Sequence, residues 1–454
     1  MIHCPVKGII SEARGITITI DLSFQGQINN LVNAMIVFPE FFLFGTATSS
    51  HQIEGDNKWN DWWYYEEIGK LPYKSGKACN HWELYREDIE LMAQLGYNAY
   101  RFSIEWSRLF PEEGKFNEEA FNRYREIIEI LLEKGITPNV TLHHFTSPLW
   151  FMRKGGFLKE ENLKYWEQYV DKAAELLKGV KLVATFNEPM VYVMMGYLTA
   201  YWPPFIKSPF KAFKVAANLL KAHAMAYDIL HGNFDVGIVK NIPIMLPASN
   251  REKDVEAAQK ADNLFNWNFL DAIWSGKYKG AFGTYKTPES DADFIGINYY
   301  TASEVRHSWN PLKFFFDAKL ADLSERKTDM GWSVYPKGIY EAIAKVSHYG
   351  KPMYITENGI ATLDDEWRIE FIIQHLQYVH KALNDGFDLR GYFYWSFMDN
   401  FEWAEGFRPR FGLVEVDYTT FKRRPRKSAY IYGEIAREKK IKDELLAKYG
   451  LPEL

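Results

Sequence analysis

The stretch Tyr354-Ile355-Thr356-Glu357-Asn358-Gly359 decides the fold of this chain. β-Branched and aromatic residues run up to a carboxylate, and the Asn-Gly pair that follows favours a turn over a continued strand. The pattern predicts a buried strand whose last side chain, that of Glu357, lies at the rim of a cavity.

A second stretch has the same order of residues: Leu182-Val183-Ala184-Thr185-Phe186-Asn187-Glu188-Pro189 is apolar, then polar, and ends in a glutamate followed by proline. Two carboxyl groups that folding brings together are what cleavage of a glycosidic bond requires, because one group must donate a proton while the other attacks or activates water. We therefore expect Glu188 and Glu357 to face one another across a gap the size of a sugar.

Strand-like and helix-like segments alternate from Phe41 onward. The eight predicted strands are Phe42–Thr48, Ala99–Ile104, Pro138–His144, Leu182–Glu188, Val236–Val239, Phe294–Tyr300, Tyr354–Asn358 and Gly391–Phe397. Helical periodicity covers about 80–95, 118–134 and 162–178. Continuous apolar runs are typical of parallel strands buried on both faces. The pattern predicts an α/β fold, a single-domain (β/α)8 TIM barrel with its active site where the strands end.

Residues 35–454 form this predicted domain. Residues 1–34 differ from it: their alternating run Ile16–Leu22 has no evident partner, so we expect an N-terminal extension that is poorly ordered or reflects a choice of start site. Two long Pro- and aromatic-rich segments, about 196–212 and 301–331, follow strands 4 and 6. In a barrel such segments lie over the C-terminal face of the strands and line the access of substrate.

Composition excludes several classes of protein. Hydrophobic residues make up 47% and charged residues 25% of the 454 residues, which is the mix of a globular protein. The net charge of -5 argues against nucleic acid as a partner. No apolar run reaches a membrane span and no signal peptide is evident. Two cysteines, Cys4 and Cys79, supply neither a disulfide framework nor a zinc site, so a cytoplasmic location is expected.

Six short motifs in a fixed order give the chain a family resemblance. They are Gln52-Ile53-Glu54-Gly55, Arg101-Phe102-Ser103-Ile104-Glu105-Trp106-Ser107-Arg108, Thr185-Phe186-Asn187-Glu188-Pro189, Asn298-Tyr299-Tyr300, Ile355-Thr356-Glu357-Asn358-Gly359 and Asp399-Asn400-Phe401-Glu402-Trp403. From about Phe38 to Ile435 the chain resembles the β-glycosidases of glycoside hydrolase family 1, of the β-glucosidase/β-galactosidase type and archaeal-like.

The resemblance implies that Glu357 is the nucleophile and Glu188 the acid/base of a retaining, exo-acting β-glycosidase. A carboxyl separation of about 5 to 5.5 Å marks this double-displacement course through a covalent glycosyl-enzyme. Arg101, Tyr300 and Asn298 are implied as supporting residues, with Arg101 keeping the nucleophile ionised and Tyr300 donating a hydrogen bond to it. Two acids so close do not ionise together, so Glu188 is expected to hold its proton.

Sugar recognition needs polar groups that match hydroxyls and an aromatic platform. The resemblance implies a substrate-binding set in which Trp395 is the platform: Gln52, His144, Asn187, Trp395, Glu402, Trp403 and Phe411. The chain departs from the family pattern after the histidine, where it reads Phe145-Thr146-Ser147-Pro148, so the support of this loop is in question.

The residue at position 402 separates two groups of substrates. Members of the family that act on 6-phosphorylated sugars carry serine there, with Lys and Tyr nearby, whereas this chain has Glu402, Pro409 and Phe411. A carboxylate repels a phosphate, so unphosphorylated terminal β-D-glycosides are expected. The sequence does not decide between glucose, galactose, mannose and fucose as the sugar, because Gln52 and Glu402 can bridge both epimers at C4.

The aglycone side is predicted from a set of aromatic residues: Trp150, Phe151, Trp202, Phe205, Phe314, Phe315 and Phe316. They suggest an apolar entrance and a preference for aryl or alkyl glycosides. Beside Lys313 and Lys319 the same rings could also touch a membrane surface, although a solvated loop is the simpler interpretation. A homo-oligomer is compatible with the sequence.

Two alternatives compete with the retaining glycosidase. A catalytically inactive sugar-binding barrel would keep the aromatic platform and lose a carboxylate, but both Glu188 and Glu357 are present. A thioglucosidase resembles this family with Gln at the acid/base position, and here that position is Glu188. No metal cluster or phosphate-binding glycine loop is evident, and the reaction asks for no cofactor.

Overall fold

A computed structural model describes residues 36–451 of the chain. The predicted N-terminal extension, residues 1–34, lies outside the described residues. Within them, no helix combines the length and the apolar character needed to cross a membrane.

Eight parallel strands close into a barrel, as predicted. They are β1 (Leu43–Ala47), β2 (Ala99–Ser103), β3 (Thr137–His143), β4 (Leu182–Asn187), β5 (Asp235–Asn241), β6 (Phe294–Asn298), β7 (Met353–Asn358) and β8 (Leu389–Trp395). Each strand pairs with the next along the chain, and β8 pairs with β1. The (β/α)8 TIM barrel is confirmed, and the carboxyl ends of all eight strands meet at one face.

The strands form because their residues are buried on both sides. Phe294, Phe393 and Leu182 lie inside the barrel in one apolar cluster with Ala99 and Val239. A larger cluster fills the space between the strands and the surrounding helices. Apolar side chains occupy the barrel interior. The polar residues near the carboxyl ends of the strands therefore form a separate group at that end of the barrel.

Helices surround the barrel. The α-helices are Ser50–Ile53, Asp61–Glu67, His81–Leu95, Trp106–Leu109, Glu118–Glu133, Leu149–Arg153, Leu163–Leu176, Pro189–Val193, Pro209–Leu230, Glu252–Asp262, Asn268–Ser275, Lys337–Val346, Asp365–Asn384, Lys427–Glu438 and Asp443–Tyr449. Two π-helical turns, Met194–Leu198 and Asn263–Trp267, continue two of them. Short 3₁₀ turns are Gly156–Leu158, Glu160–Asn162, Pro311–Lys313, Ser347–Tyr349 and Trp403–Glu405.

The three helices predicted from periodicity are present at His81–Leu95, Glu118–Glu133 and Leu163–Leu176. Asn117 caps the second of them by accepting a hydrogen bond from the Ala120 amide. An Asn cap and an amphipathic face together explain why the boundary could be placed from sequence.

The two segments predicted as long and non-periodic contain regular structure. Residues 301–331 include the antiparallel strands Ala302–His307 and Phe316–Leu320, and Ile244–Pro247 extends them into a three-stranded sheet. The segment 196–212 joins the π-turn Met194–Leu198 to the start of helix Pro209–Leu230. The second sheet was missed because its strands mix lysine, aspartate and aromatic residues without clean alternation.

Three small antiparallel pairs complete the described structure: Ile36–Val37 with Lys440–Ile441, Lys277–Gly280 with Gly283–Lys286, and Val414–Val416 with Arg423–Pro425. The first pair ties the start of the described chain to its last part.

Candidate active site

Glu357 lies near the end of β7 and is held by two donors. Arg101, on β2, donates from Nη1 to Oε1 at 2.6 Å, and the Tyr300 hydroxyl donates to Oε2 at 2.7 Å. Burial raises the pKa of Glu357, while the charge of Arg101 and the hydrogen bond from Tyr300 oppose that rise. The buried cation thus favours the ionised form of Glu357 against the effect of burial.

Glu188 follows β4 directly and has a different environment. Its φ of 46° places it in the left-handed region, just before the helix that Pro189 opens. Its Oε1 accepts from Asn298 Nδ2 at 2.8 Å and from Asn241 Nδ2 at 3.3 Å. Burial and the nearby charge of Glu357 raise the pKa of Glu188 to about 7. The side chain thus keeps a proton to near neutral pH, which suits an acid that later becomes a base.

Asn187 links the two carboxyl groups. Its Oδ1 accepts from Arg101 Nη2 at 2.7 Å and from Asn298 Nδ2 at 3.1 Å. Arg101 contacts Glu357 and Asn298 contacts Glu188, so a continuous set of hydrogen bonds spans the distance between them. The structure brings these predicted residues together in one site.

His144 is placed at the same rim, directly after β3. Its Nε2 accepts from Asn187 Nδ2 at 3.2 Å, and burial followed by the charge of Arg101 holds its pKa well below the usual range. A neutral ring with Nε2 as acceptor carries its proton on Nδ1. That atom is buried and has no hydrogen-bond partner among the described residues, so its donor capacity is unused.

The loop after His144 is well supported despite its departure from the family pattern. Phe145 has a φ of 69° and packs on Trp403 at 5.3 Å. Thr146 Oγ1 donates to Glu105 at 2.9 Å, and the amide of Ser147 donates to Asp61 at 3.0 Å. These contacts hold the loop after His144 in place without the residues usual in the family.

Gln52 and Glu402 form the opposite, polar end of the site. Gln52 Nε2 donates to Glu402 Oε2 at 3.2 Å and to the carbonyl of Phe401 at 2.9 Å, while Ser49 Oγ donates to Gln52 Oε1. Burial, then the charge of Glu357, raises the pKa of Glu402 to about 8. Glu402 can therefore donate as well as accept a hydrogen bond at neutral pH.

Three aromatic residues belong to the predicted substrate-binding set: Trp395, predicted as the platform, and Trp403 and Phe411. Trp395 and Trp403 are 3% and 5% exposed, and the ring of His144 is parallel to both within 18°. Phe411 packs on Tyr300, with ring centroids 6.1 Å apart. Gly359 packs directly against the backbone of Trp395: a Cβ at position 359 would lie 1.6 Å from the carbonyl oxygen of Trp395, so no larger residue fits there.

Sequence reasoning missed Asn241 and Thr141. Asn241 ends β5 and donates to Glu188, whereas the predicted strand stopped at Val239. Thr141 accepts from Arg101 Nε at 3.2 Å. The signal that could have found Asn241 is its place: it is a polar residue at the end of an apolar strand, as Asn187 and Asn298 are.

An apolar cavity of about 650 Å³ adjoins the site. Asn241 and Tyr300, which contact the two carboxyl groups, belong to its lining. The other lining residues are mainly apolar side chains of the helical turns after Glu188 and of the second sheet, among them Val193, Leu198, Met245, Phe265, Phe314 and Phe316.

The predicted aromatic entrance needs correction. Phe314 and Phe316 line the cavity, but Trp150 and Phe151 do not: Phe151 is fully buried and both rings pack against Trp106. They belong to a buried aromatic group beside the barrel, which a sequence pattern does not distinguish from an exposed one.

Two more of the predicted entrance rings lie elsewhere. Trp202 packs on Trp403 and Trp62, and Phe205 packs on Tyr65. Neither ring belongs to the lining of the cavity.

Among residues 36–451, no group of three or more His, Cys, Asp or Glu side chains could hold a metal ion. The site is built instead from paired carboxyl groups, amides and indole rings.

The fold and this arrangement define a glycoside hydrolase on a (β/α)8 barrel. The chain belongs to glycosyl hydrolase family 1, whose family model matches residues 34–441. It is an enzyme of the β-glycosidase type, and the inactive sugar-binding barrel is not favoured.

Known relatives agree with this assignment. A solved β-glycosidase from Pyrococcus horikoshii is 81% identical, with a TM-score of 0.92, covering 92% of this chain and 99% of that chain. Beta-glucosidase A of Thermotoga maritima is 37% identical over 445 residues, covering 89% of this chain and 99% of the relative. A β-galactosidase from Pyrococcus woesei is 34% identical, covering 90% of this chain and all of the relative.

Replacing Tyr300 with Phe tests the hydrogen bond to Glu357. A bond to a charged group contributes about 1.5–3 kcal/mol, so kcat/KM should fall roughly 10- to 100-fold. The pKa of Glu357 should rise because the donor that favours its ionised form is lost. The acid limb of the kcat/KM profile should then move to higher pH.

Tyr299→Phe is the matched control. The Tyr299 hydroxyl is buried and donates to the Tyr335 carbonyl at 2.6 Å, outside the carboxyl network. We expect this variant to lose about 1 kcal/mol of stability and keep the wild-type pH profile. An unchanged acid limb in Tyr300→Phe would contradict the supporting role.

Proposed function

We propose that the protein is a retaining, exo-acting β-glycosidase that cleaves terminal β-D-glycosides by double displacement, with Glu357 as nucleophile and Glu188 as acid/base. The observation that carries this proposal is the asymmetry of the two carboxyl groups: a buried cation contacts Glu357, while the side-chain amides of Asn298 and Asn241 contact Glu188. Opposite protonation states follow from this asymmetry, and the reaction needs them.

In the first step, Glu357 attacks the anomeric carbon as Glu188 gives its proton to the departing oxygen. In the second step, Glu188 takes a proton from water, which attacks the same carbon and releases the sugar. Above a pH of about 7, Glu188 loses its proton, so kcat/KM for poor leaving groups should fall there.

Azide rescue distinguishes the two roles. With a dinitrophenyl β-glucoside, Glu188→Ala should form the glycosyl-enzyme without acid assistance, then turn over slowly. Added azide needs no general base, so it should restore turnover and give the β-glycosyl azide. Glu357→Ala should lose hydrolysis by several orders of magnitude, and any azide product should have the α configuration. Product configuration by NMR is the measurement.

Glu405→Ala is the control for these variants, because Glu405 pairs with Arg408 at 2.9 Å on the rim and contacts neither carboxyl group. It should behave as wild type. Full activity of Glu357→Ala, or an α-azide from Glu188→Ala, would refute the assignment.

The sugar specificity that we propose begins with β-glucosides, with β-galactosides, β-mannosides and β-fucosides as further candidates. The relatives named β-glucosidase and β-galactosidase support the first two of these sugars. Gln52 donates a hydrogen bond to Glu402. Together the two side chains offer donors and acceptors to the sugar hydroxyl at C4 and to the hydroxyl on an adjacent carbon.

Unphosphorylated substrates should be preferred. Glu402 faces the charges of Glu357 and Glu188, and the neighbouring cations Arg408 and Arg410 already pair with Glu405 and Asp399. In the part of the chain that the structure describes, both arginines are thus already paired, and a buried phosphate would lose its hydration without gaining either cation.

The comparison of nitrophenyl β-glucoside with its 6-phosphate measures this preference. We expect kcat/KM to be at least roughly 100-fold lower for the phosphate, since burial of a charge without a paired cation costs several kcal/mol. Glu402→Ser should narrow the gap, whereas Glu129→Ser, on the exposed face of helix Glu118–Glu133, should leave it unchanged. A higher kcat/KM for the phosphate would overturn the expectation.

The apolar cavity supports aryl or alkyl groups as aglycones. It adjoins both carboxyl groups through Asn241 and Tyr300, so a leaving group attached to the sugar would extend into it. Burial of each methylene contributes about 0.8 kcal/mol.

A series of alkyl β-glucosides from methyl to octyl tests this aglycone preference. kcat/KM should rise by up to about fourfold per methylene until the cavity is filled. Phe316→Ala, in the lining, should flatten the series, and Phe116→Ala, in an aromatic group with Phe110 and Phe121, should not. A flat series in the wild type would exclude the preference.

Three properties remain predictions: a cytoplasmic location, contact with a membrane surface, and assembly into a homo-oligomer. Exposed rings at Trp309 and Phe315 support the second of these, since they are 76% and 43% exposed.

A further inference from the structure

Residues 36–451 contain two turns of π-helix, Met194–Leu198 and Asn263–Trp267. Such turns are rare in proteins and often lie at functional sites. Both turns border the apolar cavity that adjoins the two carboxyl groups. Their lining residues are Met194, Met195, Leu198, Leu264 and Phe265. The double-displacement mechanism uses neither turn, so their common position beside one cavity calls for an explanation.

The first turn is held by main-chain hydrogen bonds. The carbonyl of Met195 accepts from the amides of Tyr201 and Trp202 at 2.8 and 3.1 Å, and the carbonyl of Gly196 accepts from the amide of Ile206 at 2.9 Å. The segment that follows the turn thus folds back onto it. Because these bonds belong to the backbone, replacement of one side chain would not release the first turn.

The second turn is held by a side chain. Asn266 lies within it and is fully buried. Its Nδ2 donates to Asp262 Oδ1 at 2.6 Å and to the carbonyl of Pro243 at 3.1 Å. Pro243 follows β5 and belongs to the cavity lining. One amide group therefore ties the second turn both to the preceding helix and to the chain that follows β5.

The ring of Phe265, in the same turn, is held by a buried ammonium group. Phe265 is half-buried, and Lys240 Nζ lies 4.4 Å from the centroid of its ring. The same Nζ donates to the carbonyl of Asn241 at 2.9 Å. A cation is attracted to the face of an aromatic ring, and the attraction is stronger where water is excluded. Phe265 is thus fixed beside β5, whose last residue, Asn241, donates to Glu188.

The aglycone has to pass this strand end. Glu188 gives its proton to the oxygen that joins sugar and aglycone, and Asn241, which contacts Glu188, lines the cavity. The aromatic residues of the lining are Phe213, Phe265, Tyr300, Phe314, Phe316 and Trp332. Phe265 is tied to the strand that ends in Asn241, so an aromatic aglycone that enters the cavity meets a ring with a fixed position. Paired rings gain free energy beyond that of burial alone.

We propose that Phe265 is a specificity-determining residue that selects aromatic aglycones, and that Asn266 is the positioning residue that keeps its ring in the cavity wall. This inference deepens the proposed function and rests on it, because it names the aglycone class that the cavity accepts. A ring that is already fixed loses little side-chain freedom when a second ring packs on it. Aromatic groups are therefore preferred to saturated groups of equal size.

Two glucosides separate the aromatic contribution from that of size. Benzyl and cyclohexylmethyl β-glucoside both carry a six-membered ring on a primary alcohol, so their leaving groups are similar in reactivity. For the wild type, kcat/KM should be about two- to tenfold higher for the benzyl compound. Phe265→Leu, which keeps an apolar side chain, should bring this ratio close to one. The ratio is independent of the amount of folded enzyme, so a merely structural effect would not move it.

Phe205→Leu is the matched control for Phe265→Leu. Phe205 is also half-buried, and Lys70 Nζ lies 4.3 Å from its ring centroid, but its ring does not belong to the cavity lining. This variant should keep the wild-type ratio of benzyl to cyclohexylmethyl β-glucoside.

Asn266→Ala tests the positioning role. Release of the second turn should lower the same ratio by about twofold or more, because the ring of Phe265 then loses its fixed position. Asn266→Ser, whose hydroxyl can donate to one of the two acceptors, provides the readout if Asn266→Ala does not fold, as judged by its thermal transition. Asn162→Ala is the control: Asn162 is buried and donates from Nδ2 to the carbonyls of Lys154 and Gly156 at 3.2 and 3.1 Å. It should keep the wild-type ratio.

Methyl β-glucoside distinguishes the remaining outcomes. If kcat/KM of the wild type is no higher for benzyl than for methyl β-glucoside, the aglycone role of the cavity fails. If the wild type prefers the benzyl compound but Phe265→Leu keeps the ratio of benzyl to cyclohexylmethyl β-glucoside, the inference about Phe265 is wrong. If Phe265→Leu loses that ratio while the folded variant at position 266 keeps it, Asn266 is not the positioning residue.

Discussion

The buried guanidinium of Arg101 is the group on which the site depends. It is fully buried in the barrel and contacts Glu357, Asn187 and Thr141. A buried cation is stable only with a paired anion and filled hydrogen bonds. Arg101 therefore requires an ionised carboxyl group at position 357, and it fixes the amide of Asn187 at the same time. One side chain on β2 thus contacts residues of three other strands, β3, β4 and β7.

The second carboxyl group shows the complementary condition. Asn298 and Asn241 satisfy Glu188 with neutral donors, so burial and the charge of Glu357 decide its protonation. Glu402 is in a similar position, with Gln52 as its neutral partner. Arg101 contacts Glu357 and favours its ionised form, whereas burial raises the pKa of Glu188 and of Glu402, whose hydrogen-bond partners are amides. A glycosidase needs such a difference between its carboxyl groups.

The barrel and its two strand-terminal glutamates could be predicted because their signals are local, whereas the other site residues were implied by the family resemblance of six short motifs. Strands that end in Glu188 and Glu357 are continuous apolar runs with a polar last residue, and periodic helices separate them. Asn241 was missed because β5 continues through Lys240, a charge that a sequence pattern treats as the end of a buried strand. Whether a ring such as Phe151 lies in the core or at the entrance depends on contacts between distant segments, which no local pattern carries.

The contact between Gly359 and the carbonyl of Trp395 ties two neighbouring strand ends together at a point where no side chain fits. The strand that presents the nucleophile and the strand that presents the indole floor therefore cannot be altered one at a time. An exchange of segments with a relative, made to change sugar specificity, would therefore have to move both strand ends together. Exchange of one strand end alone would displace the indole of Trp395 relative to the pyranose ring.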